Sequence, residues 1–205
     1  MRKRRRDQYY RKAKADGYPS RASYKLIQLN QKSRLIRSGD KVLDLGSAPG
    51  GWSLAAGEIV GGRGLVVGVD LVESPPPKRD NIFFVLGDMM EETTLQRIKA
   101  LSETFDVVIS DASPSISGVW SRDHLLSIDL ARRALEICGD LLRPGGNFVT
   151  KVFQGEELDH FHRQVKEEFE KSKRSKPGAS RGESSEIYIV GLGYKGDRQS
   201  CDGFQ

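Results

Sequence analysis

The chain has 205 residues, 37% hydrophobic and 30% charged, enough to bury the core of one domain of ordinary size. No apolar run approaches the roughly 20 residues that span a bilayer, and no apolar stretch follows the N-terminal charges as a secretory signal would require. The net charge is +5, but residues 1–40 hold 13 Lys and Arg against 3 Asp and Glu, so they carry +10 and the rest sum to −5.

Residues 1–19 read as a basic, flexible segment ahead of one domain over 20–195 and a disordered tail over 196–205. Such charge asymmetry points to a polyanion docking at one end. Tyr9, Tyr10 and Tyr18 interleave with the basic residues, a pattern suited to stacking on unpaired bases. The bland alternative is a solvated tail.

A helix is expected over 20–37, with Ser20 as N-cap and Gly39 beyond its end. "KVLDLG" (41–46) reads as a short buried strand, followed by a glycine-rich turn and a helix over about 52–60. "GLVVGVD" (64–70) and "NIFFVLGD" (81–88) read as the next strands. A helix near 92–101 precedes the strand "FDVVISD" (105–111). The long stretch 121–146 places Leu126, Leu130, Ala134, Ile137 and Leu141 at helical spacing. "NFVTKVF" (147–153) is another strand, and a helix over about 156–170 leads into a polar stretch. "EIYIVGLGY" (186–194) closes the sheet. Strands alternating with helices define an α/β fold with a doubly wound, mostly parallel sheet.

Ligands of such sheets bind beyond the carboxyl ends of the strands. Five strand ends in order deliver a polar or glycine-rich group there: Asp44 to Trp52 in "DLGSAPGGW", Asp70, Asp88, Asp111 to Pro114 in "DASP", and Lys151. An aspartate closing a strand is commonly only a turn residue. The whole set is harder to explain so. Gly46, Gly50 and Gly51 do not keep the spacing of a dinucleotide-binding turn, and Pro49 removes an N–H that a phosphate would need. A nicotinamide oxidoreductase is therefore disfavoured, whereas S-adenosylmethionine, with its carboxylate and amino groups against bare backbone, suits the turn. Asp70 suits ribose hydroxyls and Asp88 an adenine amino group. Trp52 suits either the pocket or the core.

Cys138 falls in an amphipathic helix and Cys201 in the polar tail, so no disulfide framework is expected and a cytoplasmic setting fits. His124, His160 and His162 form no ligand-spaced cluster with them, so no metal is expected. His160 and His162 are expected to face solvent.

"DLGSAPGGW", "SDASP", "KVFQG", "EIYIV" and "SRASYKL" resemble the FtsJ/RrmJ family of RNA 2′-O-ribose methyltransferases, from about residue 7 to 194. The resemblance implies a Rossmann-like class I methyltransferase fold that uses S-adenosyl-L-methionine. It implies a catalytic tetrad of Lys25, Asp111, Lys151 and Glu186, and cofactor contacts at Gly50, Trp52, Asp70, Asp88 and Asp111. No tetrad position departs from the family pattern. Lys151 would be the general base that takes the proton of the ribose hydroxyl. Partial burial, Lys25 and the cationic methyl donor favour its neutral amine, and Asp111 opposes this. Glu186 would orient Lys25 or a ribose hydroxyl.

Within the family some members modify a uridine of large-subunit ribosomal RNA and others the anticodon loop of transfer RNA. The small single-domain size resembles the ribosomal type, and the N-terminal segment also resembles the transfer-RNA type. Ribosomal RNA is the favoured partner. A non-catalytic RNA-binding assembly factor is the alternative of another class, and the intact tetrad argues against it. Phosphate contacts position an RNA without specifying it. Deleting residues 2–14 is expected to weaken binding to ribosomal RNA and flatten its salt dependence, read from binding titrations at several ionic strengths.

Overall fold

The computed structural model describes residues 2–74, 79–180 and 184–196, with side chains from residue 8 onward. The elements in chain order are α1 (Arg2–Ala15), α2 (Ala22–Ser33), β1 (Lys41–Leu45), α3 (Gly51–Val60), β2 (Leu65–Asp70), β3 (Ile82–Leu86) and α4 (Glu92–Leu101). Then come β4 (Phe105–Ser110), α5 (Trp120–Leu141), β5 (Leu142–Phe153), α6 (Leu158–Glu168), β6 (Phe169–Ser175) and β7 (Glu186–Tyr194). Among the described residues no helix is long and apolar enough to cross a membrane.

The strands form one sheet in the order β3-β2-β1-β4-β5-β7-β6. The first five in chain order pair in parallel, while β7 runs antiparallel to both β5 and β6. The chain winds outward from β1 through β2 to β3, then returns to β4 on the other side of β1. The helices that follow β1 and β4 therefore pack on opposite faces of the sheet, and a crevice opens at the carboxyl edge where they part. The two apolar faces of the sheet explain the runs of Val, Ile and Leu. One face packs Val42, Ile109, Val149, Tyr188 and Val190 against α2 and α3. The other packs Leu43, Val108, Phe148 and Ile189 against α4, α5 and α6.

The basic N-terminal segment, expected as flexible, contains α1. Its own sequence has no apolar stripe, so the anchoring is tertiary. Ala13 is buried, Tyr9 packs on Tyr24 with ring centroids 5.7 Å apart, and Gln28 Nε2 donates to the Tyr9 hydroxyl at 3.0 Å. The next helix is shorter than expected. It ends at Ser33 because Arg34 turns left-handed (φ 51°), well before Gly39. Ser20 does not cap it in the standard way; its hydroxyl oxygen accepts the Ala22 N–H at 3.2 Å, with Arg21 at the N-cap position.

Three further expectations change. Leu126 stays exposed on α5, whose buried stripe instead runs through Ile128, Ala131, Leu135 and Cys138 beside Ala134, Ile137 and Leu141. His162 is buried rather than solvent-facing: its Nδ1 accepts from Arg174 Nε at 3.0 Å. Burial first, then the Arg174 and Lys166 charges, hold its pKa below the ordinary histidine value. The polar stretch after residue 168 supplies β6, an edge strand whose alternation is masked by Lys, Arg and Ser. Cys201 lies outside the described residues.

Phe169 holds that edge. It stacks on Phe148 (5.8 Å) and lies over Gly191, where an added Cβ would meet its ring at 2.6 Å. Phe169→Ala is expected to cost about 3–5 kcal/mol of stability, read as a lowered denaturant midpoint with little change in slope.

Candidate active site

The crevice holds a cavity of about 330 Å³, within the range of small-molecule sites. Each side of it comes from a strand end: Gly46 after β1, Asp70 in β2, Asp88 after β3, Asp111 and Ala112 after β4. Gly46 has φ 74°, and a Cβ there would lie 2.5 Å from the Ala112 Cα. Only glycine lets the two loops come this close. The Ala48–Pro49 peptide in this turn is cis.

Asp70 and Asp88 do the work of turn residues as well as facing the cavity. Asp70 accepts the backbone N–H groups of Ala48 and Val72, both at 2.9 Å, and Asp88 accepts that of Met90 at 2.9 Å. These bonds fix the carboxylates while leaving lone pairs free toward the cavity. Leu71, Val72 and Met89 supply apolar wall.

Asp44 lies beneath this floor and is wholly buried. Ser53 donates to its Oδ2 at 2.6 Å, while Oδ1 has no protein partner. Burial pushes its carboxyl up to about 7, Asp111 and Asp70 add to the rise, and the Ser53 hydrogen bond opposes it.

Beside the cavity, the ends of β4, β5 and β7 meet α2. Lys151 and Tyr188 are cross-strand partners in the β5–β7 ladder. Lys151 Nζ donates to the Asp111 carbonyl at 2.7 Å and lies 3.2 Å from its Oδ1. The Tyr188 hydroxyl donates to the same Oδ1 at 2.8 Å. Lys25, on α2, pairs with Glu186 Oε2 at 2.9 Å and sits 5.7 Å from the centre of the Tyr188 ring. The two lysine–carboxylate pairs are thus separated by one tyrosine.

The electrostatics follow from this arrangement. Burial works to raise the Glu186 pKa, but the Lys25 charge and hydrogen bond, with Lys151 and Ser184, leave it below the ordinary value. Burial, then the Asp111 and Glu186 carboxylates, raise the Tyr188 pKa well above the ordinary phenol value, so its hydroxyl remains a donor.

Lys25, Asp111, Lys151 and Glu186 therefore come together, and Asp70, Asp88 and Asp111 face the cavity. Gly50 and Trp52 do not line it. Gly50 opens α3 with φ 92°. Trp52 is 3% exposed, donates its indole N–H to the Ala22 carbonyl at 2.9 Å and stacks on Tyr188 at 5.7 Å. It backs the tyrosine from the core. The residue that sequence reasoning missed is Tyr188. A signal was there: it stands two residues from Glu186, on the same face of a strand.

A seven-stranded sheet with a single antiparallel excursion at β7, and a strand-end cavity of this make-up, define a Rossmann-like methyltransferase fold. Residues 18–194 match the family described as FtsJ-like methyltransferase. Ribosomal RNA large subunit methyltransferase E of Archaeoglobus fulgidus is 50% identical over 191 residues, which cover 93% of this chain and 97% of that relative. The chain belongs to the FtsJ-like methyltransferase family. A crystal structure described as a ribosomal RNA methyltransferase from Plasmodium falciparum superposes with TM-score 0.79 at 25% identity, over 88% of this chain and all of that one (100%). Fibrillarin of Aeropyrum pernix, solved with natively bound S-adenosyl-L-methionine, shares the fold at TM-score 0.52 and 18% identity, over 77% and 68% of the two chains.

Asp44 yields a stability prediction with a definite sign. Its folded pKa, about 7, lies above the ordinary aspartate value of 3.8, so the folded state holds the extra proton. Stability should fall as pH rises between those values and stay lowered above the upper one. Asp44→Asn is expected to remove that fall: melting temperatures taken at pH 5 and pH 8 should converge relative to wild type.

Proposed function

We propose that this protein transfers the methyl group of S-adenosyl-L-methionine to a ribose 2′-hydroxyl of RNA, a uridine of large-subunit ribosomal RNA being the favoured target. The observation that carries the reading is the pair of lysine–carboxylate contacts converging on Tyr188 beside a carboxylate-lined cavity. The name of the 50%-identical relative supports the choice of ribosomal RNA.

The cavity residues fit the cofactor. Asp70 would hold the ribose hydroxyls and Asp88 the adenine amino group, with Met89 and Val72 against the base. The bare backbone at Gly46, forced by Ala112, would admit the methionine end, and Asp111 would face its positive charges. When bound, the cofactor supplies a methyl group on a positively charged sulfur.

The protein's own part is to align a hydroxyl and take its proton. A ribose hydroxyl is a weak nucleophile until the proton leaves. Lys151 Nζ has two acceptors in place, the Asp111 carbonyl and Oδ1. A neutral amine has two N–H groups and one lone pair. Donating to both acceptors leaves that lone pair for the hydroxyl proton. Tyr188 donates to the same Oδ1 and so helps fix the Asp111 carboxylate against Lys151. Lys25, steadied by Glu186, would bind the ribose or its phosphate and hold the hydroxyl in line. The mostly buried setting of both lysines keeps water from competing for these contacts.

The test offers tritiated S-adenosyl-L-methionine with unmodified large ribosomal subunits, free ribosomal RNA and total transfer RNA in parallel. Label is expected in ribosomal RNA. Lys151→Ala should lower the rate by about 10²–10⁴-fold while cofactor binding, measured by calorimetry, persists. Wild-type turnover in that variant would overturn the role given to Lys151.

A further inference from the structure

Between β4 and α5 the chain exposes an apolar surface that a folded core does not need. Ile116 is 66% exposed, Val119 57% and Trp120 54%. Isolated exposed hydrophobics are common. A tryptophan and two aliphatic side chains within five residues, at the end of a loop and the start of α5, are less so, and this loop is held in shape. Asp123 is 5% exposed and accepts three hydrogen bonds from the loop: the Ser117 N–H at 2.8 Å, the Ser117 hydroxyl at 2.7 Å and the Gly118 N–H at 3.2 Å. Ser117 Oγ accepts in turn from the Val119 N–H at 3.2 Å. Gly118 takes φ 85°, which completes the turn. A buried carboxylate thus spends its hydrogen bonds on presenting apolar groups to water.

The loop is also tied to the catalytic strand. His124 is buried, and its Nδ1 donates to the Phe153 carbonyl at 2.9 Å while its Nε2 accepts the Glu157 N–H at 3.1 Å. Gly155 lies flat against the imidazole, where a Cβ would come within 2.5 Å. Phe153 is two residues beyond Lys151. Trp120 is one helical turn before His124, about 6 Å along the axis. The loop itself begins at Asp111 and Ala112. The exposed indole therefore lies at the end of the segment that leads out of Asp111 from the carboxyl edge of the sheet, and it is not part of the cavity lining.

We propose that Trp120, with Val119 and Ile116 beside it, is a stacking platform for an unpaired base of the RNA next to the target nucleotide. The proposal rests on the RNA reading above. A base is the occupant that this position favours. The patch lies on the segment that leads out of Asp111 at the carboxyl edge of the sheet, the edge where Lys151 meets Asp111, so a single strand entering there would pass within reach of it. The exposed Arg122 lies two residues on, where its cation complements a phosphate. Base stacking on an aromatic ring tolerates any sequence, because each base has a π face. The platform would hold the flanking base out of a helix and so present the target ribose.

The chain's two tryptophans make a direct test. Trp52 is buried and Trp120 exposed, so acrylamide quenches mainly Trp120. The probe is a single-stranded fragment of large-subunit ribosomal RNA. Its addition is expected to quench Trp120 emission and protect it from acrylamide, a response lost in Trp120→Phe, which should keep most of the affinity. Trp120→Ala is expected to weaken RNA binding by roughly ten-fold or more and raise KM with little change in kcat, with its melting temperature and cofactor affinity held. RNA bound and methylated as in wild type by Trp120→Ala would overturn the platform and leave the enzyme reading standing. A defect confined to assembled subunits, with free RNA handled normally, would assign the patch to a ribosomal protein and also overturn it. No binding or methylation of RNA by the wild-type protein would overturn both.

Discussion

The antiparallel pairing of β5 with β7 places Lys151 opposite Tyr188, and the site depends on that register. A shift of one residue in β5 would turn Lys151 to the α5–α6 face and bury its charge against the apolar side of those helices, while Phe148 and Val152 would leave that core. In the observed register Lys151, Tyr188 and Glu186 share the face covered by α2. Asp111 then has a lysine and a tyrosine as donors, and Lys25 reaches Glu186 from above. A β strand that is apolar on both sides carries a lysine here because its carboxyl end emerges between two acceptors.

The carboxylates around the cavity are kept at work by different means. Asp70 and Asp88 are fixed by backbone N–H groups and remain partly solvated. Asp111 is shared between Lys151 and Tyr188. Asp44, wholly buried with only one hydroxyl donor, is the one whose charge is disfavoured. Close acidic groups repel, so a cationic ligand in the cavity would relieve what the protein alone cannot.

The loop from Asp111 to Trp120 and the turn after Phe153 act as one frame. Asp123 and His124, adjacent on the first turn of α5, hold one of these segments each. Neither side chain is needed for the helix itself, since helices of this length are stabilised mainly by packing of their apolar stripe. Their burial at a helix start fixes the shape of these segments in advance, which would lower the ordering cost of any binding there.

Much of this was legible in the residues. Alternating strands and helices specified a doubly wound sheet, and strand ends in Asp70, Asp88, Asp111 and Lys151 marked the edge where the cavity opens, because chain direction in a parallel sheet puts every carboxyl end on one side. The family motifs picked out Lys25, Asp111, Lys151 and Glu186, the four residues that the fold brings together. Tertiary structure alone decided the rest. It made a helix of the basic N-terminal segment by packing Tyr9 and Ala13 on α2, and an edge strand of residues 169–175 by covering Phe169. It turned Trp52 into the core behind Tyr188, and left Trp120 in water. Local sequence carries periodicity and turn chemistry, whereas these outcomes depend on which neighbour, distant along the chain, removes a given side chain from water.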